Sequence, residues 1–379
     1  MSKTLEKIAE QLIDSNKKVQ LIYAFNGSGK TRLSREFKKL VETNLNTDED
    51  KSDIEYSILS QKHILYYSAF TEDLFYWDND LSGDKERKLK IHPNSFTNWV
   101  FKEQGQEQNV IANFQHYTDK TLTPHFNPDF SEVSFSLERG NEESTKNIKI
   151  SKAEESNFIW SIFYSFIEQV INVLNVAEPS NRETNQFDQI KYIFIDDPVS
   201  SLDENHLIEL AVNLAELIKS SDSELKFVIT THNPLFYNVL YNELKLNKKD
   251  KREGCYLLER LEDGTFELEE KKGDSNKSFS YHLHIKEIIE KAIAKNKIQK
   301  YHFTLLRNLY EKTANFLGYQ GWSELLPDDK RVYLRRIIQF TSHSTLSNEI
   351  IAEPTEQEKQ TIKFLLNNLI DNYNFSKQV

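Results

Sequence analysis

The run Asn26-Gly27-Ser28-Gly29-Lys30-Thr31 combines two glycines, a lysine and two hydroxyls, which is the equipment for holding phosphate. Glycine lets backbone N–H groups turn toward an anion. Lys30 would reach the β- and γ-phosphates, and the Thr31 hydroxyl would sit on Mg²⁺. A helix opening near Thr31 would aim its positive end at the same phosphates. Farther along, Tyr192-Ile193-Phe194-Ile195 runs into Asp196-Asp197. Asp196 would hold the Mg²⁺, directly or through water, and Asp197 would polarise an attacking water. Asp203 follows in Ser200-Ser201-Leu202-Asp203, and His232 comes just after the apolar run Phe227 to Thr230. Ser151 opens a helix in Ile150-Ser151-Lys152-Ala153-Glu154. Its hydroxyl and the positive end of that helix could meet a phosphate.

A second set lies near the C-terminus. Arg307 and Glu311 are four apart and share a helical face. His343 stands in Phe340-Thr341-Ser342-His343-Ser344. On the residues alone, an ordinary ion pair and a capping histidine is the favoured reading. The functional reading is a metal-free ribonuclease site. One group would deprotonate a ribose 2′-OH, another would protonate the leaving 5′-oxygen, and the guanidinium would stabilise the crowded phosphorane.

The pattern that must position these groups is α/β in the first part of the chain. Val19 to Phe25, His63 to Phe70, Tyr192 to Ile195 and Lys226 to Thr230 read as strands, with helices over Glu154 to Leu174 and Glu204 to Lys219. Strands separated by helices point to a parallel sheet with crossovers. Cys255 to Leu258 and Thr265 to Leu268, split by Glu262-Asp263-Gly264, predict a closing hairpin. Acidic Glu42 to Ser57 reads as a surface loop. After Gly273 helical patterns take over, roughly His282 to Lys295, Tyr301 to Leu317, Asp328 to Phe340 and Thr355 to Tyr373. The expected division is residues 1–270 for the nucleotide domain and 271–379 for a mainly α-helical domain. Between Thr31 and Ser151 no heptad pattern persists, which argues against a long coiled-coil arm.

Composition narrows the class. The chain has 379 residues, 38% hydrophobic and 28% charged, as expected of a globular protein with room for two domains. The most apolar stretch, Phe158 to Leu174, is broken by Glu168, Gln169 and Asn172, so a core helix is expected rather than a membrane span. The N-terminus lacks a secretory h-region, and a cytoplasmic location is the expectation. Cys255 is the single cysteine, which leaves no intrachain disulfide. The formal net charge is −11, yet Tyr281 to Phe340 carries 11 Lys or Arg against 6 Asp or Glu. A basic segment on an acidic chain suits a local anionic partner, and equally a solvated helical surface.

The order of the nucleotide motifs resembles an ABC-type P-loop NTPase, with Ser200 to Asp203 similar to its D-loop and His232 to the switch histidine that senses the γ-phosphate; Ile150 to Glu154 is similar to its signature, which implies that Ser151 meets the γ-phosphate held by a second copy of the chain. Three positions depart from that pattern. Ala24 stands where the first glycine is usual, Ala153 replaces a signature glycine, and Asp197 replaces the usual, longer glutamate. The shorter acid would slow hydrolysis, as suits a switch. A true signature would make a dimer obligatory for hydrolysis.

Over essentially its whole length the chain resembles the PrrC-type bacterial anticodon nucleases. The carrying segments are LIYAFNGSGKTRLS, ILYYSAFTEDLFYWDNDL, LTPHFNPDF, FIDDPVSSLDENHLIELAVNLA, GDSNKSFSYHLH, HFTLLRNLYEKTANFLGY and FTSHSTLSNE; the last three are specific to that family. The resemblance implies a regulatory ABC-type domain followed by a helical ribonuclease domain. It implies cleavage of tRNA-Lys in the anticodon loop, 5′ of the wobble nucleotide, leaving 2′,3′-cyclic phosphate and 5′-OH ends. The family's catalytic triad falls on Arg307, Glu311 and His343. Its recognition segment falls on Lys272 to Leu283, with Asp274, Ser275 and Asn276 as substrate contacts. ATP or GTP with Mg²⁺ would be bound, with dTTP as an activating ligand, and a type I DNA restriction-modification complex would hold the nuclease silent. Two rival readings are a DNA-repair or DNA-scanning ATPase without a nuclease, and an ATPase subunit that licenses a separate effector.

Overall fold

A computed structural model of the chain describes residues 2–45, 63–78, 87–138, 147–198, 204–246, 253–261, 263–271, 281–327, 333, 354–373 and 375. The chain divides into two compact units, Met1–Gly273 and Asp274–Val379.

The first unit begins with α1 (Leu5–Ile13), β1 (Val19–Ala24), α2 (Lys30–Leu45) and β2 (Ile64–Ser68). Then come β3 (Phe75–Asp78), β4 (Lys88–Ile91), α3 (Ser95–Asn98), α4 (Glu107–Tyr117), β5 (Leu122–Phe126) and β6 (Glu132–Leu137). It continues through α5 (Lys152–Leu174), β7 (Tyr192–Asp196), α6 (Glu204–Lys219), β8 (Lys226–Thr231), α7 (Pro234–Glu243), β9 (Glu253–Arg260) and β10 (Phe266–Glu270).

Six strands form one sheet in the order β10-β9-β1-β8-β7-β2. All its neighbours are parallel except the β9–β10 hairpin. Every residue of β1 is buried, as a central parallel strand covered on both faces requires. The register sets Ser68 beside Asp196 and Asp196 beside Thr230, and Tyr23 beside Thr231. The carboxyl ends of β1, β2, β7 and β8 are therefore level. Ligands of open α/β sheets bind beyond such ends.

Two expectations for this unit need correction. Glu42 begins no loop, because α2 continues to Leu45; Leu33, Phe37 and Val41 recur every four residues and are buried, so the apolar stripe carries the helix onward. The strand expected to reach Phe70 stops at Ser68, whose backbone N–H donates to the Thr71 hydroxyl as a short 3₁₀ turn begins. Where a coiled coil was judged absent, the described residues form a second, antiparallel sheet in the order β3-β4-β6-β5. It packs aromatic side chains against α5, with Phe135 of β6 edge-on to Phe158, and Phe114 of α4 meets the same ring edge-on. Ser151 and Glu154 cap the start of α5 reciprocally, and most of its side chains are buried, which makes it the core helix its apolar run implies.

The second unit contains α8 (Tyr281–Ala294), α9 (Tyr301–Leu317), a 3₁₀ turn at Trp322–Leu325 and α10 (Glu356–Asn372). Their shared core includes Ile285, Ile289, Phe303, Leu306, Leu309, Leu365 and Leu369. Gly318, left-handed at φ 79°, ends α9, a conformation that glycine alone adopts cheaply. The helix expected over Asp328 to Phe340 lies outside the described residues, apart from Tyr333. No described helix is long and apolar enough to cross a membrane.

Candidate functional site

At the end of β1 the chain turns through Gly27 at φ 80° and Gly29 at φ 95°. Gly29 is doubly constrained, since a Cβ there would lie 2.9 Å from the Phe266 ring. Ala24, at the usual glycine position, is the last residue of a regular strand and needs no positive φ, so the departure costs nothing. Lys30 folds back over this loop. Its ammonium donates to the Ala24 carbonyl at 3.2 Å, the Phe25 carbonyl at 3.4 Å and Asn26 Oδ1 at 3.3 Å, and lies 3.6 Å from Asp197 Oδ2. The Ser28 hydroxyl donates to the Phe25 carbonyl.

Asp196 is only 1% exposed. Oδ1 accepts a 2.5 Å bond from the Thr230 hydroxyl, and Oδ2 a 3.4 Å bond from Ser34. Ser34 Oγ also meets the Tyr66 hydroxyl at 2.9 Å. Burial raises the Asp196 pKa above the ordinary value despite the Thr230 and Thr31 hydroxyls that bond the ionised form. A buried carboxylate held in this way gains from a cation. Thr31 and Asp196 supply the hard oxygen donors that Mg²⁺ takes, together with phosphate oxygens and water, so the residues fit such an ion.

Asp197 holds a left-handed backbone at φ 54°, uncommon for a residue with a Cβ and typical of sites that store strain. Its Oδ2 lies 2.5 Å from His232 Nδ1, and Oδ1 accepts from the His232 N–H at 3.3 Å and the Thr231 hydroxyl at 3.4 Å. Burial pushes its pKa up, but the His232 hydrogen bond and the charges of His232 and Lys30 outweigh this, and the net shift is downward. Asn233 then caps α7, with Pro234 in its first turn, so a helix start fixes the residue after His232.

These contacts join residues that sequence reasoning treated separately. Lys30, Asp197 and His232 form one cluster, and Ser34, Tyr66 and Thr230 orient Asp196. None of the last three was singled out from the sequence, although Thr230 sits at the end of an expected strand. Ser151 is exposed; its hydroxyl accepts from Glu154 N–H at 3.2 Å and its own N–H donates to Glu154 Oε2 at 2.6 Å. Asp203, Asp274, Ser275, Asn276 and His343 lie outside the described residues.

On α9, Arg307 Nε donates to Glu311 Oε1 at 2.7 Å, and each side chain is 38% exposed. The pair has the spacing the sequence implied and stands within reach of solvent. Among the tyrosines of this unit that could stack on bases, Tyr301 and Tyr319 are exposed, whereas Tyr310 is fully buried. Its hydroxyl donates to the Leu365 carbonyl at 2.8 Å, so Tyr310 is a core residue; the Tyr281 side chain is not described.

A family model described as an AAA domain matches residues 139–370. Among solved structures, the SMC head domain from Thermotoga maritima is 10% identical, covering 68% of this chain and 91% of that one at a TM-score of 0.33. An Smc head domain with coiled coil and joint from Pyrococcus yayanosii is 12% identical, covering 48% and 29% at a TM-score of 0.29. Scores this low carry no argument, and the class rests on the sheet, its loop and the family model: the chain contains an AAA-type P-loop NTPase domain, a domain that binds nucleotide and Mg²⁺. A curated Escherichia coli protein named Anticodon nuclease is 63% identical over 397 aligned residues, covering 100% of this chain and 99% of that protein. The chain belongs to the anticodon nuclease family.

Proposed function

We propose that the chain is a nucleotide-regulated ribonuclease that cuts tRNA-Lys in the anticodon loop, 5′ of the wobble base. The observation that carries this is the family membership across the whole chain, with Arg307 and Glu311 paired on a solvent-reachable helix face. Cleavage uses the substrate's own 2′-OH as nucleophile. Glu311 and His343 share the base and acid roles, and Arg307 stabilises the phosphorane. The products are a 2′,3′-cyclic phosphate and a 5′-OH. Asp274, Ser275 and Asn276 contact the anticodon loop, a single-stranded target whose bases can be splayed apart. The basic surplus around Arg307 draws the tRNA backbone to an otherwise acidic chain.

The nucleotide domain is the regulator, and its ABC-type reading rests on Ser151, Asp203 and His232. Asn26 to Thr31 wrap the phosphates of ATP or GTP, and Thr31 with Asp196 hold Mg²⁺. Bound Mg²⁺ would neutralise phosphate oxygens during hydrolysis. Asp197, kept ionised by His232 and Lys30, orients the attacking water, and His232 is placed to exchange its carboxylate partner for the γ-phosphate. Ser151 of a second copy completes the site in a homodimer or higher oligomer. We further propose dTTP as an activating ligand, a type I DNA restriction-modification complex as the silencing partner in antiviral defence, and a cytoplasmic location. The test is to incubate purified protein and nucleotide with total bacterial tRNA and map the cut. Cleavage of tRNA-Lys 5′ of the wobble base is expected; intact tRNA under every nucleotide condition would overturn the reading.

A further inference from the structure

After Gly318 the chain reverses, and the 3₁₀ turn at Trp322–Leu325 packs back along α9. The turn is pinned by Gly321 N–H donating to Glu324 Oε1 at 3.0 Å. This places the Trp322 ring 5.7 Å from the Arg307 guanidinium carbon, within cation–π range. Among the described residues, the Glu311 carboxylate accepts from Arg307 Nε, and the guanidinium lies over the indole ring. Trp322 is itself fixed. It packs against the core of the second unit and meets Tyr310 edge-on, with ring centroids 6.4 Å apart. Tyr310 in turn is tied by its hydroxyl to the α10 backbone.

We infer that Trp322 is a positioning residue for RNA cleavage, holding the Arg307 guanidinium in the plane in which it meets the scissile phosphate. The inference rests on the proposed role of Arg307 and adds a residue to it. A guanidinium forks two parallel N–H bonds to phosphate only in its own plane. Its flat face therefore needs a partner that fixes that plane without competing for the donors. An indole does this, because it attracts the cation through its π cloud and offers Arg307 no acceptor. The long arginine side chain otherwise loses rotamer freedom at the moment of reaction. Trp322 acts through Arg307 and not on the phosphate, so its loss should slow the chemical step and leave tRNA affinity alone.

The experiment uses the full chain and has two arms. In the first, NMR of the Arg307 side-chain NεH is compared between the parent and Trp322→Leu. A ring-current shift present in the parent and absent in the variant is expected; identical Arg307 signals would overturn the placement. In the second, single-turnover cleavage of tRNA is measured for the parent, Trp322→Phe and Trp322→Leu, each with its melting temperature. Trp322→Leu should slow cleavage on the order of 2- to 30-fold at saturating tRNA, the range of one cation–π contact. KM should stay constant, and Trp322→Phe should recover part of the rate. On an Arg307→Lys background, which loses the planar fork, Trp322→Leu should cost less than on the parent. Equal rates for parent and folded Trp322→Leu, or equal losses on both backgrounds, would reject Trp322 while leaving the nuclease reading intact. A parent that never cuts RNA would remove the nuclease reading and this inference with it, even if the NMR contact were present.

Discussion

The two functional regions of this chain are built by opposite means. The nucleotide site draws Asp196, Asp197 and His232 from the ends of two strands and Lys30 from the start of the helix that follows a third. It buries Asp196 at 1% exposure and supplies its carboxylates with hydrogen bonds from distant parts of the sequence. The Arg307–Glu311 pair comes from one helix, four residues apart, and stays 38% exposed at both ends. The first site exists only when the sheet has formed. The second has its geometry as soon as α9 forms and depends on the fold for the groups around it. A buried polar site is expensive to disturb, while an exposed pair contributes little to stability. The nucleotide site should therefore couple function to folding, and the arginine pair should not.

The sharpest break in this contrast is Arg307→Ala. Cleavage of tRNA should fall by about 10²–10⁴, while nucleotide hydrolysis and melting temperature stay at the parent's values; single-turnover cleavage and a hydrolysis assay on one preparation check both. On the other side, Asp197→Asn should reduce hydrolysis on the order of 10² and still bind nucleotide, which a filter-retention assay on labelled nucleotide would reveal. Hydrolysis at the parent rate would remove Asp197 from the reaction.

The two adjacent aspartates sharpen the contrast through pH. The Asp197 pKa is lowered from 3.8, so its contribution to stability is full above that pH and is lost as pH falls through the folded value. The Asp196 pKa is raised from 3.8, so its ionised form costs stability at neutral pH, a cost relieved as pH falls through the raised value. In metal-free protein at pH 7, Asp197→Asn should lower the melting temperature and Asp196→Asn should raise it; on acidification the Asp196 difference should fade above pH 3.8, and the Asp197 difference only below it. Thr230→Val, which removes the 2.5 Å donor to Asp196, should cost about 1–3 kcal/mol in urea unfolding. The smallest effect is expected at Ser151→Ala, where loss of the α5 cap should cost roughly 1 kcal/mol.

The same contrast explains what could be read from the sequence. Gly27 and Gly29 are legible because a phosphate loop demands positive φ there, and Asp196 because an apolar run ends abruptly in a carboxylate. The helices of the second unit follow from apolar spacing. The hydrogen bond between Asp197 and His232 was not legible, since it spans 35 residues and depends on a strained φ at Asp197. Ser34, Tyr66 and Thr230 were hidden for a similar reason: isolated hydroxyls have no signature until strand register brings them to one carboxylate. The β3-β4-β6-β5 sheet escaped notice because strands such as Lys88–Ile91 and Glu132–Leu137 set partly exposed polar residues between buried ones and lack the continuous apolar run that marks Tyr192–Asp196. Arg307 and Glu311 have the pattern of any helical ion pair, so their significance came from family resemblance and not from spacing.

The central claim is that RNA is cut by its own 2′-OH at a site containing Arg307. Its most direct test is an anticodon stem-loop of tRNA-Lys carrying a single 2′-deoxy substitution at the nucleotide 5′ to the wobble position. The all-ribose stem-loop should be cut to 2′,3′-cyclic phosphate and 5′-OH ends, and EDTA added after activation should not stop the cut. The 2′-deoxy stem-loop should remain whole. Cleavage of the 2′-deoxy stem-loop, or fragments bearing a 5′-phosphate, would contradict the account.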